Sequence, residues 1–251
     1  MAGIDSAWRF ETMLQDRCAA CTEPFENGTA LFRPDRPRVY DENFLRIERG
    51  FEELEARRLA ETADRLQGGA GLTHRKVVVP DERAGRRLSD AFAGLRWRRS
   101  VLLTMEHRGR APREPDHRVV PAQAHELRAA RTRAFAQDMG GGAAGQVARH
   151  LELLSSVVST RAFAVVAGGE LASWCVLYEE DGVGQVEDVM TVAHQRRRGF
   201  GRAVVQAAAR ASVEGGNRLT FIVADDEDWP KRLYASLGFQ PLGRRYEYTR
   251  T

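Results

Sequence analysis

The sequence predicts an α/β chain (α+β in its arrangement), with a mixed twisted sheet, flanking helices and two similar halves. Three observations predict it. Short β-branched or alternating apolar runs take turns with amphipathic stretches along most of the 251 residues. The order strand–helix–strand–helix–strand occurs in both halves. Between them, Arg108 to Asp116 holds Pro112 and Pro115 and reads as a linker. The expected division is an N-terminal domain over 1–108, a linker over 109–116 and a C-terminal domain over 117–251.

In the first half, strands are expected at 43–47, 76–79 and 100–107, with helices at 51–66 and 84–95 between them. The second half opens with helices at 122–137 and 143–157, separated by Gly140-Gly141-Gly142. Arg161 to Ala167 is apolar and β-branched, Gly168-Gly169 makes a tight turn, and Leu171 to Tyr178 returns as the next strand. Asp181-Gly182 turns again into a strand over 186–192. A helix follows over 201–213. Ala203, Val204, Ala207, Ala208 and Ala211 give it a stripe of small apolar side chains suited to close packing on a sheet. Gly215-Gly216 ends it. A strand over 219–224, a short helix over 230–237 and a last strand over 246–249 complete the half.

Composition narrows the function classes. Hydrophobic residues make up 43% of the chain, enough for a sizeable core. Lys plus Arg number 38 against 35 Asp plus Glu. The basic residues are scattered, apart from Arg196-Arg197-Arg198, so a dedicated nucleic-acid binder is not expected. Cys18-Ala-Ala-Cys21 has no second pair and no His at finger spacing, so no metal site is expected. Three cysteines fit a reducing cytoplasm. The N-terminus, with Asp5 where an apolar core should begin, does not read as a signal peptide. No apolar run approaches the ~18 residues of a membrane span. A soluble cytoplasmic protein is expected, either monomer or homodimer.

Arg196-Arg197-Arg198-Gly199-Phe200-Gly201 lies between an expected strand and an expected helix. A helix start offers unpaired backbone N–H groups and the positive end of the dipole. Two glycines let the chain turn and let the backbone approach a diphosphate. The third glycine of a dinucleotide loop and the Lys-Ser/Thr of a nucleotide triphosphate loop are both missing. By itself the segment reads equally as a solvated basic turn or a nucleic-acid patch.

The run from Val186 to Ala203, VEDVMTVAHQRRRGFGRA, resembles the signature of the GNAT superfamily of acyl-CoA-dependent N-acetyltransferases. That signature is Arg/Gln-x-x-Gly-x-Gly/Ala following a strand. Tyr234-Ala-Ser-Leu-Gly-Phe239 is similar to the same family's later Tyr-x-x-Leu-Gly-Phe motif, one helix and one strand further on. The resemblance covers about 117–251. Ala193, where many members have proline, is a departure confined to the turn.

The resemblance implies the GNAT fold and transfer of an acetyl group from acetyl-CoA to an amine, with no metal. It places CoA on Arg196, Arg197, Arg198, Gly199, Phe200, Gly201 and Arg202. It also implies that the strand ending at Val192 splays from its neighbour, freeing backbone groups of Val189, Met190, Thr191 and Val192 for the pantetheine arm and thioester carbonyl. Many members carry an acid on this strand that deprotonates the amine, directly or through a water. Strict alternation puts Glu187 on one face with Val189 and Thr191, and Asp188 on the other with Met190 and Val192. Glu187 is favoured and Asp188 is the alternative; both also read as half-exposed strand carboxylates. For Tyr234 the family role is proton donation to the CoA sulfur, against a plain core aromatic. Trp229 is expected to pack and His194 to face solvent. A non-catalytic acyl-CoA sensor is the competing function. The resemblance also implies that the helices over about 122–157, with Arg128, Arg131, Arg133, Asp138, Arg149 and Glu152, shape the acceptor pocket. That mixture points to no single acceptor, so small amine, protein N-terminus and lysine all remain open.

The first half resembles a degenerate GNAT half. Val77-Val-Val-Pro-Asp-Glu leads to Phe92-Ala-Gly-Leu-Arg-Trp97, as Phe221-Ile-Val-Ala-Asp-Asp leads to Tyr234-Ala-Ser-Leu-Gly-Phe239. Duplication and chance similarity both remain open. Phe92 stands where Tyr234 stands, and no Gly-x-Gly turn follows the strand at 43–47. Glu48, Glu52, Glu53 and Glu55 crowd the next helix start, where they would repel a diphosphate.

Overall fold

A computed structural model describes residues 2–139 and 141–251. Gly140 of the expected three-glycine spacer lies outside the described residues. Seven α-helices are described: α1 (Ala2–Cys18), α2 (Ala56–Gly69), α3 (Glu82–Gly94), α4 (Ala124–Met139), α5 (Gly141–Val157), α6 (Phe200–Glu214) and α7 (Pro230–Ser236). The first-half strands are β1 (Cys21–Phe25), β2 (Gly28–Phe32), β3 (Phe44–Ile47), β4 (Arg75–Val79) and β5 (Arg98–His107). The second half adds β6 (Val120–Pro121), β7 (Ser159–Ala167), β8 (Glu170–Glu180), β9 (Val183–Thr191), β10 (Leu219–Asp225) and β11 (Phe239–Arg250). The expected helix beginning at Phe51 is instead a 3₁₀ turn over Phe51–Glu53, with the α-helix starting at Ala56. Helix α1 and the β1–β2 hairpin have no counterpart in the sequence reading.

The chain forms two compact units, neither continuous in sequence. One consists of Met1–Leu14, Thr104–Ala224 and Asp228–Leu242; the other of Gln15–Leu103, Asp225–Glu227 and Gly243–Thr251. In the second of these, β1–β2 and β2–β3 are antiparallel, β3–β4 is parallel, and the C-terminal part of β11 lies antiparallel to β4. In the other, β7–β8 and β8–β9 are antiparallel and β9–β10 is parallel. Two antiparallel steps followed by a parallel one occur in both, the pattern of two related halves. Strand β11 comes from the second half of the sequence, yet Tyr246 to Arg250 pair with Arg75 to Val79 of the first.

Each unit has its own core. One contains Leu45, Ile47, Leu59, Ala63, Val77, Val79, Phe92 and Tyr248. Phe92 is fully buried and stacks on Tyr248 with ring centroids 4.1 Å apart. The other contains Ala7, Phe10 and Leu14 of α1, Leu127 and Ala130 of α4, Trp174, Val176 and Tyr178 of β8, and Phe221 of β10. On the opposite face of this sheet lies α6. Ala203, Val204 and Ala208 of its expected stripe are buried, while Ala207 and Ala211 are half-buried. The Cys175 thiol reaches the Val204 carbonyl at 3.2 Å, so helix and sheet pack as closely as the small residues require.

Candidate active site

Strand β9 has two irregularities. Its parallel ladder with β10 runs only from Val183↔Leu219 to Val186↔Ile222, whereas its ladder with β8 continues to Thr191↔Ser173. Beyond Val186 it has therefore parted from one neighbour, as the resemblance implied. The second irregularity is a β-bulge. Met190 faces Trp174 and Glu187 faces Val176, so Asp188 and Val189 share the single position opposite Cys175. Asp188 takes the left-handed conformation, φ 53°, which aspartate tolerates better than most residues.

The bulge overturns the alternation expected from the sequence. Before it, Val183 belongs to the core beneath α1 and α4, and Gln185 donates from its side-chain amide to Glu187 Oε2 at 2.9 Å. After it, Met190 and Val192 pack on that same core, while Thr191 meets the α6 side. The extra residue resets the parity, so Glu187 and Asp188 both serve the face covered by α4. They differ in their partners. Asp188 Oδ2 accepts from Arg131 Nε at 2.7 Å and Trp174 Nε1 at 3.0 Å, and Arg131 Nη2 lies 2.6 Å away. The side chains of Arg131 and Asp188 are 2% and 3% exposed, so this charge is fully committed inside the protein. Burial pushes the Asp188 carboxyl up from its ordinary range, against the pull of Arg131 and Trp174. Glu187 is half-buried, and its Oε1 accepts from the Asp188 backbone N–H at 3.2 Å.

Tyr234, on α7, is 6% exposed. Burial raises its phenol pKa, and the nearby carboxylates of Glu187 and Asp228 act in the same direction. The hydroxyl is therefore protonated through the neutral range, and Glu187 lies within electrostatic reach of it.

The loop after β9 passes through a 3₁₀ turn at Ala193–Gln195 and enters α6 at Phe200. Arg197 and Gly199 have φ of 62° and 84°. Gly199 is the N-cap and offers no side chain to the helix start, so the first amides of α6 have no side-chain cap. Around them, Arg198 bonds the Gln195 side chain and lies over the Phe200 ring at 5.0 Å. Arg196 Nε donates to the Thr191 carbonyl at 3.2 Å. Arg202 is engaged with Ser236 Oγ of α7 at 2.7 Å. Three of the backbone groups expected to be free are occupied. The Met190 carbonyl accepts from Ser173 Oγ at 2.7 Å, the Thr191 carbonyl from Arg196, and the Val192 N–H donates to the Ala172 carbonyl at 3.0 Å.

Trp229 is 63% exposed and does not pack as expected. His194 faces solvent and meets Glu170 at 2.6 Å. The sequence reading placed Arg131 on a pocket-forming helix without pairing it with the β9 acid, and it missed Trp174 and Gln185 as parts of the site. One signal was available. Leu127, Ala130, Arg131 and Ala134 follow the spacing of a buried helix face, and an arginine in such a stripe needs an internal partner.

Residues 163–248 match the family model described as FR47-like protein. A conserved protein of unknown function from Staphylococcus epidermidis superposes with a TM-score of 0.71 at 15% identity, covering 91% of this chain and 92% of that one. A GCN5-related N-acetyltransferase from Kribbella flavida gives 0.61 at 17% identity, covering 96% and 94%. This is a GNAT fold. A tandem GNAT protein from the clavulanic acid biosynthesis pathway gives 0.54 at 16% identity, covering 82% and 74%. No curated protein matches the sequence. The parted strand and its continuation into α6 are parts of this fold, and a tandem GNAT protein is among the chains that share it. Among the described residues no helix is long and apolar enough to cross a membrane.

Proposed function

We propose that the chain is an acetyl-CoA-dependent N-acetyltransferase acting on a primary amine in the cytoplasm. The observation that carries the reading is the course of β9. It leaves β10 after Val186, bulges at Asp188 beside Glu187, and runs into the start of α6, which has no side-chain cap. A diphosphate would lie against the amides of Gly199, Phe200 and Gly201, with Arg196, Arg197 and Arg198 supplying charge around it. The pantetheine arm would follow the opening between β9 and β10, along Val189 to Val192.

Glu187 takes the proton of the bound ammonium, because the protonated amine has no lone pair to offer. The neutral amine attacks the thioester carbonyl, aided by proximity and by a donor to the developing oxyanion. The tetrahedral intermediate expels the CoA sulfur, which takes the Tyr234 proton, and the second proton of the attacking nitrogen restores the Tyr234 hydroxyl, leaving a neutral amide and CoA thiol. Asp188 is a poor alternative base, since its charge is spent on Arg131 and Trp174. Arg202, held on Ser236, contributes to the cradle's outer edge. The unit holding Phe92 binds no acetyl-CoA, and a phenylalanine cannot act as the acid.

The test is calorimetric titration with acetyl-CoA, followed by free-CoA release with small amines, peptide N-termini and lysine peptides. Binding at or below about 1 mM, the upper end of ordinary Michaelis constants, with amine-dependent release supports the reading. No binding ends it. Binding without release for any amine would favour a sensor instead. Salt-dependent DNA affinity indifferent to CoA would favour a nucleic-acid module.

A further inference from the structure

The left-handed Asp188 is a non-glycine residue in a sparsely populated conformation that persists only where its surroundings hold it. Its surroundings are unusually specific. Arg131 reaches it from α4, fifty-seven residues earlier in the chain, and Trp174 reaches it from the neighbouring strand. The guanidinium and carboxylate are both almost wholly buried, where a pair survives only with good geometry and further donors. The same residue then donates its backbone N–H to Glu187 Oε1, while Gln185 holds the other carboxylate oxygen. A continuous line of contacts therefore runs from α4, through the bulge, to the carboxylate assigned as the base.

We infer that Arg131 is a positioning residue: by fixing Asp188 it holds the bulge in the one conformation that aims the Glu187 carboxylate. Arg131 touches no reacting atom. It makes the direction of the base depend on the seating of α4 on the sheet, where Leu127 and Ala130 pack with Trp174 and Tyr178. This rests on the acetyltransferase reading for its catalytic consequence, but its structural part stands on the pair and the bulge alone.

The experiment compares the full chain with Arg131→Met, Arg131→Lys, Asp188→Asn and the double variant Arg131→Met/Asp188→Asn. Three quantities are read: amide hydrogen exchange over 186–191, affinity for acetyl-CoA by calorimetry, and steady-state CoA release with a responsive amine. For Arg131→Met, exchange over 186–191 should rise about tenfold or more, with the start of α6 little changed. Its kcat should fall by about tenfold or more, with KM for acetyl-CoA within about threefold. Arg131→Lys should recover part of both. The double variant leaves no buried unpaired charge and should regain thermal stability, but neither slow exchange nor turnover. Unchanged exchange in folded Arg131→Met, or wild-type turnover in the double variant, would overturn the inference. Should the parent chain fail to bind acetyl-CoA, the acetyltransferase reading falls, and the exchange measurements alone decide whether Arg131 holds the bulge.

Discussion

A Cβ on Gly201 would stand 3.1 Å from Thr191 Oγ1. The first turn of α6 and the end of β9 thus approach to a distance that only glycine accommodates without a shift. The same bare backbone is what a diphosphate would need, so the packing seen here and the proposed binding rest on one missing side chain.

Gly201→Val should therefore weaken acetyl-CoA binding by at least about tenfold, equal to ~1.4 kcal/mol, and should also lower stability by about 1–3 kcal/mol through overpacking. Gly201→Ala, whose single methyl needs a shift of only a few tenths of an ångström, should separate the two effects. Calorimetry beside thermal melts measures both. Parent-like affinity in folded Gly201→Val would remove the cradle assignment.

Tyr234→Phe should lower kcat by about a hundredfold, the low end of general acid catalysis, with little change in KM for acetyl-CoA. The phenol is buried and its loss leaves the ring packing against Phe239 in place. Glu187→Gln should slow the reaction most at low pH, where more of the amine is protonated. Rates for both variants across mildly acidic to mildly alkaline pH give the answer, and parent-like profiles would remove both roles.

A fragment of residues 110–251 should be poorly soluble. It lacks Ala7, Phe10 and Leu14, which are buried in the core with Trp174 and Phe221. Phe10 sits edge-on to Phe221 at 5.9 Å. Burying side chains of this size contributes roughly 1.5–3 kcal/mol each. Fusing 1–18 to the fragment should improve recovery, as measured by soluble yield and near-ultraviolet dichroism. A stable, fully active 110–251 fragment would show that α1 is dispensable.

His74 should make the fold sensitive to mild acid. It is fully buried, stacks on Tyr40 at 3.8 Å, and its Nε2 meets the Asn43 carbonyl at 2.9 Å. Burial lowers its pKa from 6.5. Between the unfolded and folded pKa values the unfolded chain binds more protons, so stability is full above the unfolded pKa of 6.5 and is lost as pH falls through the folded one. Denaturant midpoints should drop between neutral pH and about pH 5.5. His74→Gln keeps a donor and removes the titration, so its midpoints should be flatter over that window. An equal slope in both proteins would place the sensitivity elsewhere.

Local signals made much of this protein legible in advance. The Gly-Phe-Gly start of α6, the Gly168-Gly169 and Asp181-Gly182 turns and the small stripe on α6 each depend on neighbours a few residues apart. They were readable because turn geometry and helix periodicity are local. Most of the strand and helix order was readable for the same reason, but α1 and the β1–β2 hairpin were not. The sequence by itself also placed Glu187, Asp188 and Tyr234 on the elements where they are found.

Tertiary structure alone decided the rest. One extra residue at Asp188 turned two carboxylates expected on opposite faces toward the same face, because a bulge resets a period of two and nothing local announces it. Arg131 became the partner of Asp188 only when α4 settled on the sheet, and a charge enters a core only where folding brings it a partner. Strand β11 and helix α1 found places in units that their sequence positions did not suggest. Strand pairing and core packing join residues by fit rather than by proximity along the chain, so which segments complete which sheet was settled in three dimensions.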